Sequence, residues 1–148
     1  MTNTARMDLS AVVPAAYQAV LGLEKYVRAN VDGELLHLIK LRASIMNGCA
    51  YCVDLHSRDG LADGISSRKL FALGAWRESP FFDERERAAL DLTEEVTRLG
   101  NHGVTDEVWS AAVQHFGEEG VANLLMAIAT INVWNRIGVP TRMQPPVE

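Results

Sequence analysis

Apolar residues recur along this chain at three- and four-residue intervals and nowhere alternate for long with period two, so the pattern predicts helices joined by short breaks. Pro14 opens the first, in which Ala16, Val20, Leu23 and Val27 form one stripe to about Ala29 before Asn30 to Gly33 interrupts it. Asp32 is placed to cap a second, Glu34 to Met46. Its Leu35, Leu36, Leu38, Ile39, Leu41, Ile45 and Met46 leave little room for a wet face, so it belongs in the core. A third runs from Cys49 to about Ala62 and stops at Asp63-Gly64, where glycine accepts a left-handed backbone. Ser66 or Ser67 starts a short fourth with Leu70, Leu73 and Trp76 inward, ending before Ser79-Pro80. Asp83 and Glu86 make a capping-box-like start for a fifth, with Ala89, Leu92, Val96 and Leu99 along one edge up to Gly100. Thr105 caps a sixth, with Trp109, Ala112, Val113 and Phe116 inward and Gly117 as its stop. A seventh, Glu118 to Ile137, buries Leu124, Leu125, Ile128 and Ile131 and ends at Gly138-Val139-Pro140. The expected fold class is all-α, a compact bundle of about seven helices.

Composition narrows the classes. A chain of 148 residues, 48% hydrophobic and 22% charged, suits one domain spanning residues 1–148. The net charge of −5 and absence of any Lys/Arg cluster argue against a nucleic-acid partner. Met1 to Asp8 has no apolar signal region, and no run approaches a membrane span, so a cytoplasmic location is expected.

The chemistry gathers at Asn47-Gly48-Cys49-Ala50-Tyr51-Cys52-Val53-Asp54-Leu55-His56, where the only two cysteines stand three apart and a histidine follows four after the second. On one helix, Cys52 and His56 share a face at i, i+4, within reach of a hydrogen bond. Asn47-Gly48 reads as a break, which puts Cys49 at a helix start. There, unpaired N–H groups and the positive dipole end favour thiolate. In a reducing compartment such a pair is a cycling redox centre or half a metal site rather than a staple. Two small buried hydrophobes would be the bland reading, and for His56 a surface histidine. Elsewhere the bland reading prevails: Trp76, Trp109 and Trp134 have core spacing, Asp83 to Arg87 reads as a solvated helix start, and His102 and His115 lack a partner. Asn132, Asn135 and Arg136 are candidates to face a neighbouring subunit.

Leu38-Ile39-Lys40-Leu41-Arg42-Ala43-Ser44, then Asn47 to Cys52 and His56, closely resembles the core of the alkylhydroperoxidase D and carboxymuconolactone decarboxylase family. Trp76-Arg77-Glu78-Ser79, Glu86 to Leu90 and Asn132 to Arg136 resemble its later helices. The resemblance implies a helical bundle, often trimeric or hexameric, whose peroxidatic members reduce hydroperoxides without haem or flavin. Their pattern is a glutamate, eleven residues, C-x-x-C, three residues and a histidine. It carries over to Cys49, Cys52 and His56, but His37 stands at the glutamate position. The nearest carboxylate is Glu34, one turn earlier, and Tyr51 replaces a histidine found in some members.

The resemblance thus implies a thiol-dependent peroxidase or disulfide oxidoreductase. Cys52 attacks the peroxide, Cys49 resolves, His56 handles the proton and His37 is either a modified relay member or a core histidine. No tightly bound cofactor is required, and a lipoylated or thioredoxin-like protein serves as reductant. A second reading takes His37, Cys49, Cys52 and His56 as a structural zinc site; a third is a decarboxylase-like enzyme, against which the retained cysteine pair argues. The helices starting at Glu34 and Glu118 are apolar nearly all round, which predicts a homo-oligomer.

Overall fold

The structure, a computed structural model, describes residues 4–147. The first three residues of the N-terminal stretch weighed above, and residue 148, lie outside them. Seven α-helices follow in order, with no strand among the described residues: α1 (Leu9–Val12), α2 (Pro14–Asn30), α3 (Gly33–Asn47), α4 (Ala50–Ala62), α5 (Ser67–Ala72), α6 (Glu84–Thr97) and α7 (Asp106–Thr141). A 3-10 turn, Leu73–Ala75, extends α5.

Helix α3 is the axis. Leu38 and Ile39 are wholly buried and Leu35, Leu36 and Leu41 nearly so, because α4, α6 and α7 cover it on different sides. One side of α3 joins Val27, Leu92, Leu124 and Ile128, from α2, α6 and α7, in one apolar cluster. The other packs Leu38 and Leu41 on Leu70, Leu73, Trp76, Phe82 and Leu90.

The caps follow the sequence closely. Asp83 and Glu86 form the full reciprocal capping box, Ser66 accepts from the Lys69 N–H, and Thr105 accepts from that of Val108. Asp32 sits at the N-cap of α3 without capping it; its carboxylate turns to Arg85, 3.6 Å away.

Gly117 leaves the helical backbone (φ 69°, ψ 176°) as expected of a stop, and the sixth and seventh expected helices meet there end to end across a kink, together spanning α7. Other expectations needed correction. Helix α7 runs past Gly138-Val139-Pro140, since Pro140 in the last turn forfeits only one N–H, and left-handed Arg142 closes the end. The Arg6 N–H ties the N-terminal segment to the Thr141 carbonyl at 2.8 Å.

Trp109 and Val113, expected inward, are 43% and 38% exposed, whereas Ala112 between them is fully buried. Two adjacent faces carry apolar residues there, and the smaller side chain permits the closer approach. Leu99 lies beyond the end of α6 and is exposed. On α2 the expected stripe is rotated: Ala16 and Leu23 face outward, while Val27 and Glu24 are buried.

Candidate active site

The junction between α3 and α4 places the cysteines. Gly48 takes the left-handed conformation (φ 69°) that ends α3, its N–H reaching the Ile45 carbonyl at 3.2 Å, and the Cys49 N–H returns to the Ser44 carbonyl at 3.1 Å. Cys49 thereby becomes the N-cap of α4, and its Sγ accepts from the Cys52 N–H at 3.3 Å. The two sulfurs are bonded as a disulfide, with Cα atoms 5.3 Å apart.

A ladder of amides, with Asn135 fully buried, fixes this junction to α7. Asn47 Nδ2 donates to Asn132 and Asn135 Oδ1, each at 2.9 Å, and Asn135 Nδ2 donates to Ser44 Oγ at 3.0 Å. Asn132 also donates to Thr97 Oγ1 of α6 at 3.1 Å. Asn135 is thereby buried within the chain, whereas Asn132 is partly buried and Arg136 exposed. One turn on, Gly138 abuts the disulfide so closely that an added Cβ would stand 2.9 Å from Cys49 Sγ.

Cys52 faces the other way. It lines a cleft of about 170 Å³ with His56, Tyr17, Leu21, Glu24, Arg28, Tyr51, Leu55, Trp134 and Met143. Tyr17 and Trp134 meet edge to face at 5.4 Å on one wall. Cys49 is not among the lining residues, so the cleft reaches only one of the two sulfurs.

His56, one turn after Cys52, is 5% exposed. Burial, reinforced by the positive charge of Lys40, drops its pKa to about 3, so the imidazole is neutral at physiological pH. While the disulfide is intact, His56 therefore carries no positive charge.

The carboxylate of the site is Glu24 of α2, which reasoning from the sequence missed. It accepts from Lys40 Nζ, from Arg28 Nε at 3.1 Å and from Trp134 Nε1 at 3.2 Å. Burial alone raises the Glu24 carboxyl, but the bonds and charge of Lys40, with Arg28 and Trp134, outweigh it and hold it below the usual range. Lys40 is 3% exposed, and burial pushes its ammonium down despite Glu24. A signal existed: Glu24 falls in line with Val20, Val27 and Val31 on one helix face, and Lys40 stands directly between the apolar Ile39 and Leu41 of α3.

His37 is directed elsewhere. Its Nε2 donates to Asp63 Oδ2 at 2.6 Å, and its buried Nδ1 has no partner among the described residues. With Lys40, Asp59 and Asp63 it lines a second, polar cavity that also touches His56, so His56 stands between the two cavities. Glu34, the alternative carboxylate, pairs with Lys69 at 2.8 Å and lines neither cavity. With the cysteines bonded to each other and His37 to Asp63, no three His, Cys, Asp or Glu side chains are gathered to hold a metal among the described residues.

A model of the carboxymuconolactone decarboxylase family matches residues 13–95. The uncharacterised protein YdfG of Bacillus subtilis is 34% identical over 135 residues, 90% of this chain and 92% of that protein. Among solved structures, an Agrobacterium tumefaciens protein of unknown function, provisionally assigned as the antioxidant defence protein AhpD, aligns with a TM-score of 0.95. It is 41% identical, over 98% of this chain and all of that one (100%). The debrominase Bmp8 aligns with a TM-score of 0.80 and 25% identity, over 90% of this chain and 73% of its own.

Proposed function

The chain belongs to the carboxymuconolactone decarboxylase family, and we propose that within it the protein is a thiol-dependent peroxidase that cycles Cys49 and Cys52 between dithiol and disulfide. The observation that carries this reading is the asymmetry of the pair: Cys52 lines a cleft beside His56, and Cys49 lies behind it at the start of α4.

In the reduced protein, the Cys52 thiolate attacks the terminal oxygen of a hydroperoxide. The O–O bond breaks, the alkoxide takes a proton and leaves as alcohol, and Cys52 becomes a sulfenic acid. Cys49 then attacks that sulfur and water leaves. Two thiols and a hydroperoxide become a disulfide, an alcohol and water. His56 accepts the Cys52 proton and returns it to the alkoxide. A Cys52 thiolate supplies the negative charge that the disulfide form lacks, raising the affinity of His56 for that proton. His37 acts only through His56, from the second cavity. A dithiol carrier of the cytoplasm, lipoylated or thioredoxin-like, returns two electrons and two protons. Leu21, Leu23 and Tyr26, apolar and exposed on α2, suit a homo-oligomer, trimer or hexamer.

Single-turnover peroxide reduction tests the reading. Wild type should consume one equivalent per dithiol, Cys52→Ser none, and Cys49→Ser one, stopping at a trappable sulfenic acid on Cys52. A sulfenate trapped on Cys49 in the Cys52→Ser protein would reverse the roles. Failure of the reduced wild type to consume any hydroperoxide would end the peroxidase reading.

A further inference from the structure

We propose that the cleft selects anionic hydroperoxides with an aromatic or short alkyl body, and that Arg28 is the residue that selects the charge. This rests on the peroxidase reading above and names its substrate class.

Size sets the body. The cleft, about 170 Å³, matches a single ring, since an apolar cavity of about 150 Å³ takes one benzene. Its walls are Tyr17, Leu21, Tyr51, Leu55, Trp134 and Met143, which offer apolar and aromatic surface.

Charge sets the substituent. Glu24 is saturated by Lys40, Arg28 and Trp134, so it has little capacity left to attract a cation. His56 is neutral. One carboxylate thus faces two cations, Lys40 and Arg28. Lys40 is sealed inside, but the Arg28 side chain is 62% exposed at the rim. Only its Nε is engaged, by Glu24 at 3.1 Å, while its Nη groups have no partner among the described residues. A substrate with its O–O bond at Cys52 and its ring against Trp134 would present a distal carboxylate to that free guanidinium edge, which binds carboxylates two N–H groups at a time.

The test compares the para-carboxamide of cumene hydroperoxide with its para-carboxylate, near-isosteres that differ in charge. For wild type, kcat/KM should favour the carboxylate about fivefold, as a partly exposed ion pair gives. Arg28→Gln should bring that ratio near one and Arg28→Lys recover part of it. Arg58→Gln, an exposed arginine of α4 outside the cleft, makes the same change in net charge and should leave the ratio intact. A ratio of one in wild type, or equal losses in the Arg28 and Arg58 variants, overturns the proposal. Calorimetry with the two corresponding alcohols on the disulfide form needs no turnover. If both peroxides are inert, the peroxidase reading fails, while a preference for the carboxylated alcohol that Arg28→Gln abolishes still upholds anion selection. Equal affinity for the two alcohols rejects it.

Discussion

Gly138 of α7 lays its bare Cα against the sulfur of Cys49, leaving no room for a Cβ, which would stand 2.9 Å from Sγ. Its contact with Cys52 is looser, at 3.7 Å from the same Cβ position. One sulfur is thus backed by a helix and the other faces a cleft. Gly138→Ala should displace Cys49 and shift the equilibrium with dithiothreitol toward the dithiol, on the order of tenfold or ~30 mV. A redox titration monitored by free thiols checks this; an unchanged midpoint would show that the helix yields instead.

His56 makes stability depend on pH with a definite sign. Its pKa falls from the ordinary 6.5 to about 3 on folding, so between those values the unfolded chain binds a proton that the folded one excludes. Stability is therefore lost as pH falls below 6.5. From pH 7 to pH 5 this group alone should cost about 2 kcal/mol. Urea denaturation of the disulfide form at both pH values should show the loss in wild type and a much smaller one in His56→Gln. Equal losses would mean that His56 is already protonated in the folded state.

Lys40 and Glu24 are both buried, so removing one strands the other. Lys40→Met should destabilise by about 3 kcal/mol, because Arg28 and Trp134 only partly compensate the Glu24 carboxylate. Lys40→Met with Glu24→Gln should recover at least half of that. A double-mutant cycle by chemical denaturation gives the coupling, and strict additivity would deny it.

His37→Glu would restore the peroxidatic pattern in sequence, yet by itself it should give no gain in peroxide turnover. The new carboxylate would replace an imidazole that donates to Asp63 at 2.6 Å, setting two acids against each other. Combined with Asp63→Asn, the substitution frees the new carboxylate from its acidic neighbour, with Asp59 unchanged in the cavity, and turnover should exceed that of His37→Glu by about tenfold, one pKa unit of relay stabilisation. Equal rates for the single and double variants would remove this position from proton transfer.

Local rules made much of the molecule legible in its sequence. The caps at Ser66, Asp83 and Thr105, the left-handed breaks at Gly48 and Gly117 and the buried character of α3 depend on residues within a few positions of one another. The same holds for the spacing that sets Cys52 and His56 on one face of α4. Which groups surround those side chains is decided by contacts between distant segments. Glu24 and Lys40, sixteen residues apart, come together only when the chain turns back between α2 and α3, and Gly138 meets Cys49 only because α7 packs against α4. The state of His56 was likewise beyond local reading, because burial and the charge of Lys40 fix it. His37 finds Asp63 across the turn ending α4. Periodicity records which face of a helix turns inward, whereas the charge, hydrogen bonding and packing of a site depend on which faces meet, and that is set by tertiary structure.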